Sequence, residues 1–294
     1  MRVALEESGK LALGLLGALV LALALSALSV PGAAHSPRAF ALAALARLLA
    51  FLRLDFGTSR ITDLPAVDML ASHVPVTATL IALGALVSVA LGAPLGLLFG
   101  SGGLRRVAAP IVQIVSAAPV FVAGLAVAYA ANRFLGWPPG AGPFPGPGEL
   151  LHPDAQALRR VVLPALTVGF AGTAAIHVAL RRAAAGEQDQ PYRESLRRLG
   201  LSALEIDRVY VAPVILAGLF SSLGEVVVAF IASAVVSEWV FRCPGAADLF
   251  VKSVALGDWN MAGLILFLFC ALSLVIAFIG RLLGGAILRA ESQA

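Results

Sequence analysis

Six stretches of the chain, 11–30, 74–100, 110–131, 161–180, 211–235 and 261–283, are apolar nearly throughout and carry few or no charges. A helix needs about 20 such residues to cross the hydrocarbon core of a bilayer. The pattern therefore predicts an all-α membrane protein of six transmembrane helices, with both termini on one side. The longest connection, 31–73, contains a second helical pattern at 41–54, Ala-Leu-Ala-Ala-Leu-Ala-Arg-Leu-Leu-Ala-Phe-Leu-Arg-Leu. Arg47 and Arg53 interrupt its apolar positions, which predicts an amphipathic helix lying along the interface or packed on the bundle. Residues 138–148 read Pro-Pro-Gly-Ala-Gly-Pro-Phe-Pro-Gly-Pro-Gly. Locked φ angles and missing N–H donors there exclude helix and central strand, leaving a turn-rich cap. The chain thus divides into a first crossing with its long loop, 1–73, and a five-helix core, 74–294.

Composition agrees with lipid as the main solvent: of 294 residues, 60% are hydrophobic and 13% charged, against roughly 25% charged in soluble domains. Orientation follows from the excess of Lys and Arg in cytoplasmic connections. With the N-terminus inside, the inner segments hold Arg2, Lys10, Arg105, Arg106, Arg181, Arg182, Arg193, Arg197, Arg198, Arg208, Arg281 and Arg289, twelve against nine in the longer outer segments. That places both termini in the cytoplasm. The net charge of +4 is spread between apolar runs rather than gathered with aromatics into one stripe, which argues against nucleic acid as a partner.

The first apolar run follows Arg2 and Lys10 as a signal peptide would, but its twenty residues exceed a signal core of roughly 7 to 15, so a retained crossing is expected. Cys243 and Cys270 form no metal-ligand or disulfide pattern. His35, His73, His152 and His177 lack paired spacing and read as interfacial residues. Gly92, Gly96 and Gly100 make a small-residue stripe suited to close helix packing. Pro119 and Pro164 fall inside apolar runs, as bends that neighbouring helices can tolerate.

The polar segment 181–213 carries six arginines and five acids, so it must sit in water between two crossings. Helical patterns at 192–199 and 203–210 are separated by Gly200-Leu201-Ser202. Glycine ends a helix at positive φ, and a serine hydroxyl accepts from the free N–H groups that open the next. A helix, a tight turn and a second helix are predicted.

Within this segment Glu194-Ser195-Leu196, then Gly200, then Tyr210-Val211-Ala212-Pro213 resembles the cytoplasmic signature of ABC importer permeases: Glu-Ala-Ala, three residues, Gly, nine residues, Ile-x-Leu-Pro. Glu194, Gly200 and Pro213 fall in register. Ser195, Leu196, Tyr210 and Ala212 depart from it. Four further stretches resemble the dipeptide, oligopeptide and nickel branch of that family: Leu54-Asp55-Phe56-Gly57-Thr58-Ser59, residues 70–80 with Pro75-Val76-Thr77, Ser116-Ala117-Ala118-Pro119-Val120-Phe121, and Glu238-Trp239-Val240-Phe241 with Pro244-Gly245. Asp55-Phe56-Gly57 stands where the first of the two permeases in such transporters has a similar motif.

The resemblance implies a type I importer permease in a bacterial inner membrane. Residues Glu194, Ser195, Leu196, Gly200, Leu201, Ser202 and Pro213 would then belong to a coupling loop that docks on an ATPase subunit. It further implies a second homologous permease, two ATP-binding subunits that hold ATP and magnesium, and an extracytoplasmic substrate-binding protein. The cargo would be peptides or similar small solutes, nickel included. ATP hydrolysis by this chain itself would need a G-x-x-x-x-G-K-[ST] loop, and around the single Gly-Lys pair, Gly9-Lys10, the required Gly and hydroxyl positions hold Ala4 and Leu11. No catalytic residue and no cofactor of its own is therefore expected.

Glu225 lies midway through the 211–235 run, where a carboxylate costs on the order of 2.5–3.5 kcal/mol. With no basic residue near it in that run, it is either a candidate for the translocation pathway, facing a cationic group such as a peptide amine, or a protonated or hydrogen-bonded residue packed against a partner permease. The alternative reading of the whole chain is a stand-alone secondary transporter or channel, which calls for coupled midplane charges and an inverted repeat. Neither is visible.

Overall fold

The computed structural model describes residues 2–30, 36–53, 55–97, 119–138, 144–145, 155–188 and 190–291. The helices are α1 (Arg2–Ala27), α2 (Pro37–Leu52), α3 (Ala66–Leu97), α4 (Val120–Leu135) and α5 (Ala155–Gln188), followed by the short α6 (Pro191–Arg198) and α7 (Ala203–Glu205). A π-helical stretch, Ile206–Val211, leads into α8 (Ala212–Ser221), then α9 (Leu223–Phe241), α10 (Ala246–Ala255) and α11 (Trp259–Glu291). Five stretches, Leu5–Ala27, Ala66–Gly92, Gln156–Glu187, Leu223–Phe241 and Trp259–Ala290, are long and apolar enough to cross a membrane. The expected crossing at 110–131 is described only from Pro119 onward, where α4 is apolar but shorter. Pro119 stands at its N-cap rather than inside it.

Lipid tails are as apolar as leucine, so helices here associate through close packing and buried hydrogen bonds rather than through exclusion of water. The tightest pair is α3 with α5. A Cβ on Gly84 would fall 2.6 Å from Val168, and one on Gly169 2.7 Å from Val87. Ser88 Oγ, fully buried, donates to the carbonyls of Gly84 (2.7 Å) and Gly169 (2.8 Å) and so ties the two backbones together. Phe230 of α9 fills the notch left by Gly172. Pro164 sits inside α5, and its own carbonyl accepts from Ser237 Oγ of α9 at 2.9 Å. Gly92 approaches the Thr173 carbonyl, while Gly100 lies outside the described residues.

α1 runs antiparallel to α11 along its whole length. Glu7 pairs with Arg281 at one end, Gly263 abuts the Ala22 carbonyl, and Ser26 Oγ donates to Asn260 Oδ1 (2.8 Å) at the other. The two termini therefore lie at one end of the bundle. α2 packs on the bundle through Ala43 against Ala27, with Phe51 edge-on to Phe267.

The expected crossing at 211–235 is divided. The helix breaks at Ser222, α8 packs against the last turns of α5 and α11, and the spanning piece begins at Leu223. A Cβ on Gly218 would lie 2.6 Å from Ala183, and one on Gly284 2.6 Å from the Ala217 carbonyl. α8 is therefore wedged between α5 and α11 at the end that carries the termini.

Candidate functional site

The segment between α5 and α9 projects from that same end. α6 begins with Pro191, whose fixed φ suits a first helical turn, and none of its residues is buried. Glu194 and Ser195 are exposed, and Glu194 pairs with Arg198 at 2.6 Å. Leu196 and Leu201 are half-buried and linked by Leu201 N–H donating to the Leu196 carbonyl at 3.2 Å. That closure requires a left-handed residue between them, and Gly200 supplies it at φ +91°. Ser202 then caps α7 in a reciprocal box: its hydroxyl accepts from Glu205 N–H while its own N–H donates to the Glu205 carboxylate at 2.8 Å. The Ser202 hydroxyl, which also donates to that carboxylate at 2.7 Å, and then the Ser202 N–H hold the Glu205 carboxyl below its usual value. Pro213, lacking an N–H, falls where π-helical bonding gives way to α-helical bonding.

Two side-chain links brace the segment. Tyr192 OH donates to Glu187 at the end of α5 (2.6 Å), and Arg193 pairs with Asp207 of the π-helical stretch (2.5 Å). Ile206 and Val211 are buried and anchor it below. Leu199 and Leu204 on either side of the Gly200 turn are left largely exposed.

The position of Glu225 differs from the one expected. It lies in the first turn of α9, not midway through a crossing, because the helix is interrupted at Ser222. It also has a basic partner that one-dimensional reading missed: Arg182 Nη1 of α5 lies 2.7 Å from its carboxylate.

At the opposite end of the bundle, Glu238 near the end of α9 is fully buried, in a role that its sequence motif alone does not reveal. Its carboxylate accepts from Thr77 Oγ1 (2.5 Å), from Asp248 N–H (2.8 Å) and from Ala247 N–H. Thr77 Oγ1 in turn accepts from Ala246 N–H at 2.8 Å. Glu238 and Thr77 thus cap the N-terminus of α10, and only a glycine at 245 leaves room for the carboxylate. Two of the quoted stretches, around Pro75-Val76-Thr77 and Glu238, meet in this node. A third docks beside it: Ser59 Oγ and Arg60 N–H donate to Asp258 Oδ2 (2.6 and 2.9 Å), and Asn260 Nδ2 donates to the carbonyls of Phe56 and Thr58 (2.8 and 3.3 Å). Burial, with Glu238 and Asp248 nearby, pushes the Cys243 thiol up to about 12, so it stays protonated and unreactive. Among the described residues no group of three or more His, Cys, Asp or Glu is placed to hold a metal ion.

Residues 88–290, more than half of the chain, match the family described as binding-protein-dependent transport system inner membrane component. The chain belongs to that family. The peptide transport system permease protein SapB of Salmonella typhimurium is 26% identical over 259 residues, covering 79% of each chain. The Escherichia coli K12 relative, named as a putrescine export system permease, is 25% identical over 70% of this chain and 71% of its own. The oligopeptide permease AmiC of Streptococcus pneumoniae is 29% identical over 126 residues, and the match spans only 24% of its length. An amino acid ABC transporter superposes with TM-score 0.57 at 17% identity, over 75% of this chain and 94% of that one. A MetNI methionine ABC transporter captured inward facing superposes with TM-score 0.53 at 19% identity, over 76% and 98%. The fold is that of these ABC transporter chains, and the family match makes the chain an inner membrane component of a transport system.

Proposed function

We propose that this permease, paired with a second of its kind, imports peptides or similar small solutes carrying a protonated amine. Two ATP-binding subunits, which hold ATP and magnesium, drive it, and an extracytoplasmic binding protein delivers the cargo. The end carrying both termini and the 181–213 segment is the cytoplasmic one, in keeping with its arginines. Peptide and putrescine, the solutes named for relatives of this chain, share a cationic amine, and an acidic residue on the pathway would attract it. Glu225 is that residue in this reading, on a face it shares with Arg182.

One observation carries the reading: α6 is an eight-residue helix with no buried residue. So short a helix is not stable on its own in water, yet here it is held out by a glycine turn, a capping box and two braces, with Leu199 and Leu204 exposed beside it. Such a surface is built to be covered. Glu194, Ser195, Leu196, Gly200, Leu201, Ser202 and Pro213 shape it, and an ATPase subunit is the partner proposed to cover it. The test is to purify the tagged chain in mild detergent, identify the subunits that come with it and assay ATPase activity. An ATPase subunit should co-purify, and Gly200→Val or Glu194→Arg should release it. Recovery of the chain alone, with transport indifferent to ATP, would overturn the proposal.

A further inference from the structure

Most exposed side chains on the spanning helices are apolar, as at Leu86, Val89 and Val228, and lipid or an apolar partner can cover them. Arg182 and Glu225 depart from this: each lies within a stretch apolar enough to span, yet their side chains are 64% and 71% exposed. Charges in such stretches face water or protein rather than lipid tails, so this face of α5 and α9 belongs to a wetted or subunit-covered surface.

The two residues also hold a special place along the chain. Arg182 stands near the end of α5, Glu225 at the start of α9, and the residues between them, 183–224, include α6, the glycine turn, α7 and α8. The pair closes the root of that loop. Above the root the loop is stiff, because Tyr192 is bonded to Glu187, Arg193 to Asp207, and α8 is wedged by Gly218 against Ala183 and by Gly284 against its Ala217 carbonyl. A displacement of α6 is therefore poorly absorbed inside the loop and arrives where α5 and α9 part. At that point, outside the buried Leu180 and Val226 of the shared core, the link is one exposed ion pair, which is weak where water competes.

We propose that Arg182–Glu225 is a clasp that opens when the loop is displaced, and that the Glu225 carboxylate meets a cationic amine only while the clasp is open. Closed, Arg182 neutralises the carboxylate and the inner mouth offers no standing cation site. Open, the carboxylate is released at the same moment as the mouth. This rests on the loop being the dock for an ATPase subunit, as proposed above, and adds that one ion pair converts docking movement into access.

The test uses the complete transporter, with its ATP-binding subunits and binding protein, reconstituted in liposomes. Transport and the stimulation of ATPase by the binding protein are measured for Glu225→Gln, Arg182→Gln and the exchanged pair Arg182→Glu with Glu225→Arg. Each single change should leave the complex assembled but lower the stimulation ratio by about five- to tenfold, the scale of coupling between sites, and the exchange should restore much of it. A bifunctional maleimide joining Arg182→Cys to Glu225→Cys should block transport while ATP-binding subunits stay attached. Wild-type stimulation in both single variants, or undiminished transport across the joined pair, would overturn the clasp. Failure of an ATP-binding subunit to assemble with the wild-type chain would instead sink the docking reading, and the clasp with it.

Discussion

α9 carries a glutamate near each end, and the two have opposite fates. Glu225 and Glu238 are thirteen residues apart in the chain, hence about 20 Å apart along the helix and roughly 140° apart around it. Glu238 points into the bundle and is enclosed, its oxygens engaged by Thr77 and by the free N–H groups of α10. Glu225 points outward and is paired with a similarly exposed arginine, Arg182. A carboxylate wrapped by fixed donors is part of the architecture, whereas one held by a single flexible cation can be let go. The contrast divides the molecule into an end opposite the termini, where the loop 55–66, α3, α10 and α11 are bonded together, and a termini end, where the 181–213 segment rests on braces at its root.

Replacing each glutamate is the direct way to break this contrast. Glu238→Leu should have the larger effect, because it leaves the Thr77 hydroxyl and the first N–H groups of α10 without an acceptor. A buried donor left without its acceptor costs about 1–3 kcal/mol, and several are left here, so the loss should exceed about 3 kcal/mol and appear as low membrane yield and a reduced Tm in detergent. Wild-type yield and Tm would show that the node is not structural. Glu225→Gln should change stability by less than about 1 kcal/mol, as for exposed ion pairs generally, with Tm measured beside the transport assay. A large drop in Tm would place Glu225 with Glu238 among the structural residues and erase the contrast.

Glu205, which sits at neither end of α9 but in the capping box, sharpens the comparison with a smaller effect. Its folded carboxyl is held below the usual value by Ser202, so what it adds is fully present above that usual value and is lost as pH falls through the depressed one. Hydrogen exchange across 202–211 should therefore be insensitive to pH-driven opening from neutral pH to about pH 5 and should show loss of protection only below that. Ser202→Ala should weaken protection at every pH. Opening that begins near neutral pH would mean that the box does not hold the segment.

Much of this was legible in one dimension because it rests on local rules. Hydrophobic runs long enough to span must become helices in lipid, where every backbone polar group needs an internal partner. A glycine followed two residues later by a serine, with Glu205 three residues beyond, encodes its turn and cap within a few bonds, and the structure forms both. What escaped was the pairing of distant residues. Thr77 and Glu238 are 161 positions apart and Ser59 and Asp258 199, and nothing local states that they meet. The resemblance drew attention to these stretches, but only the packed bundle shows their shared role of closing the end opposite the termini.

Glu225 is the clearest instance of a reading that periodicity could not complete. A continuous apolar run hid the break at Ser222 and so placed the carboxylate at mid-membrane, while its cation lay on another helix. Hydropathy and backbone stereochemistry over short spans were enough to set the class of the protein, the spanning helices α1, α3, α5 and α11, and the turn at Gly200. Tertiary structure alone decided which charges are enclosed and which are paired at the surface, because burial and partners depend on how helices far apart in the chain are brought together.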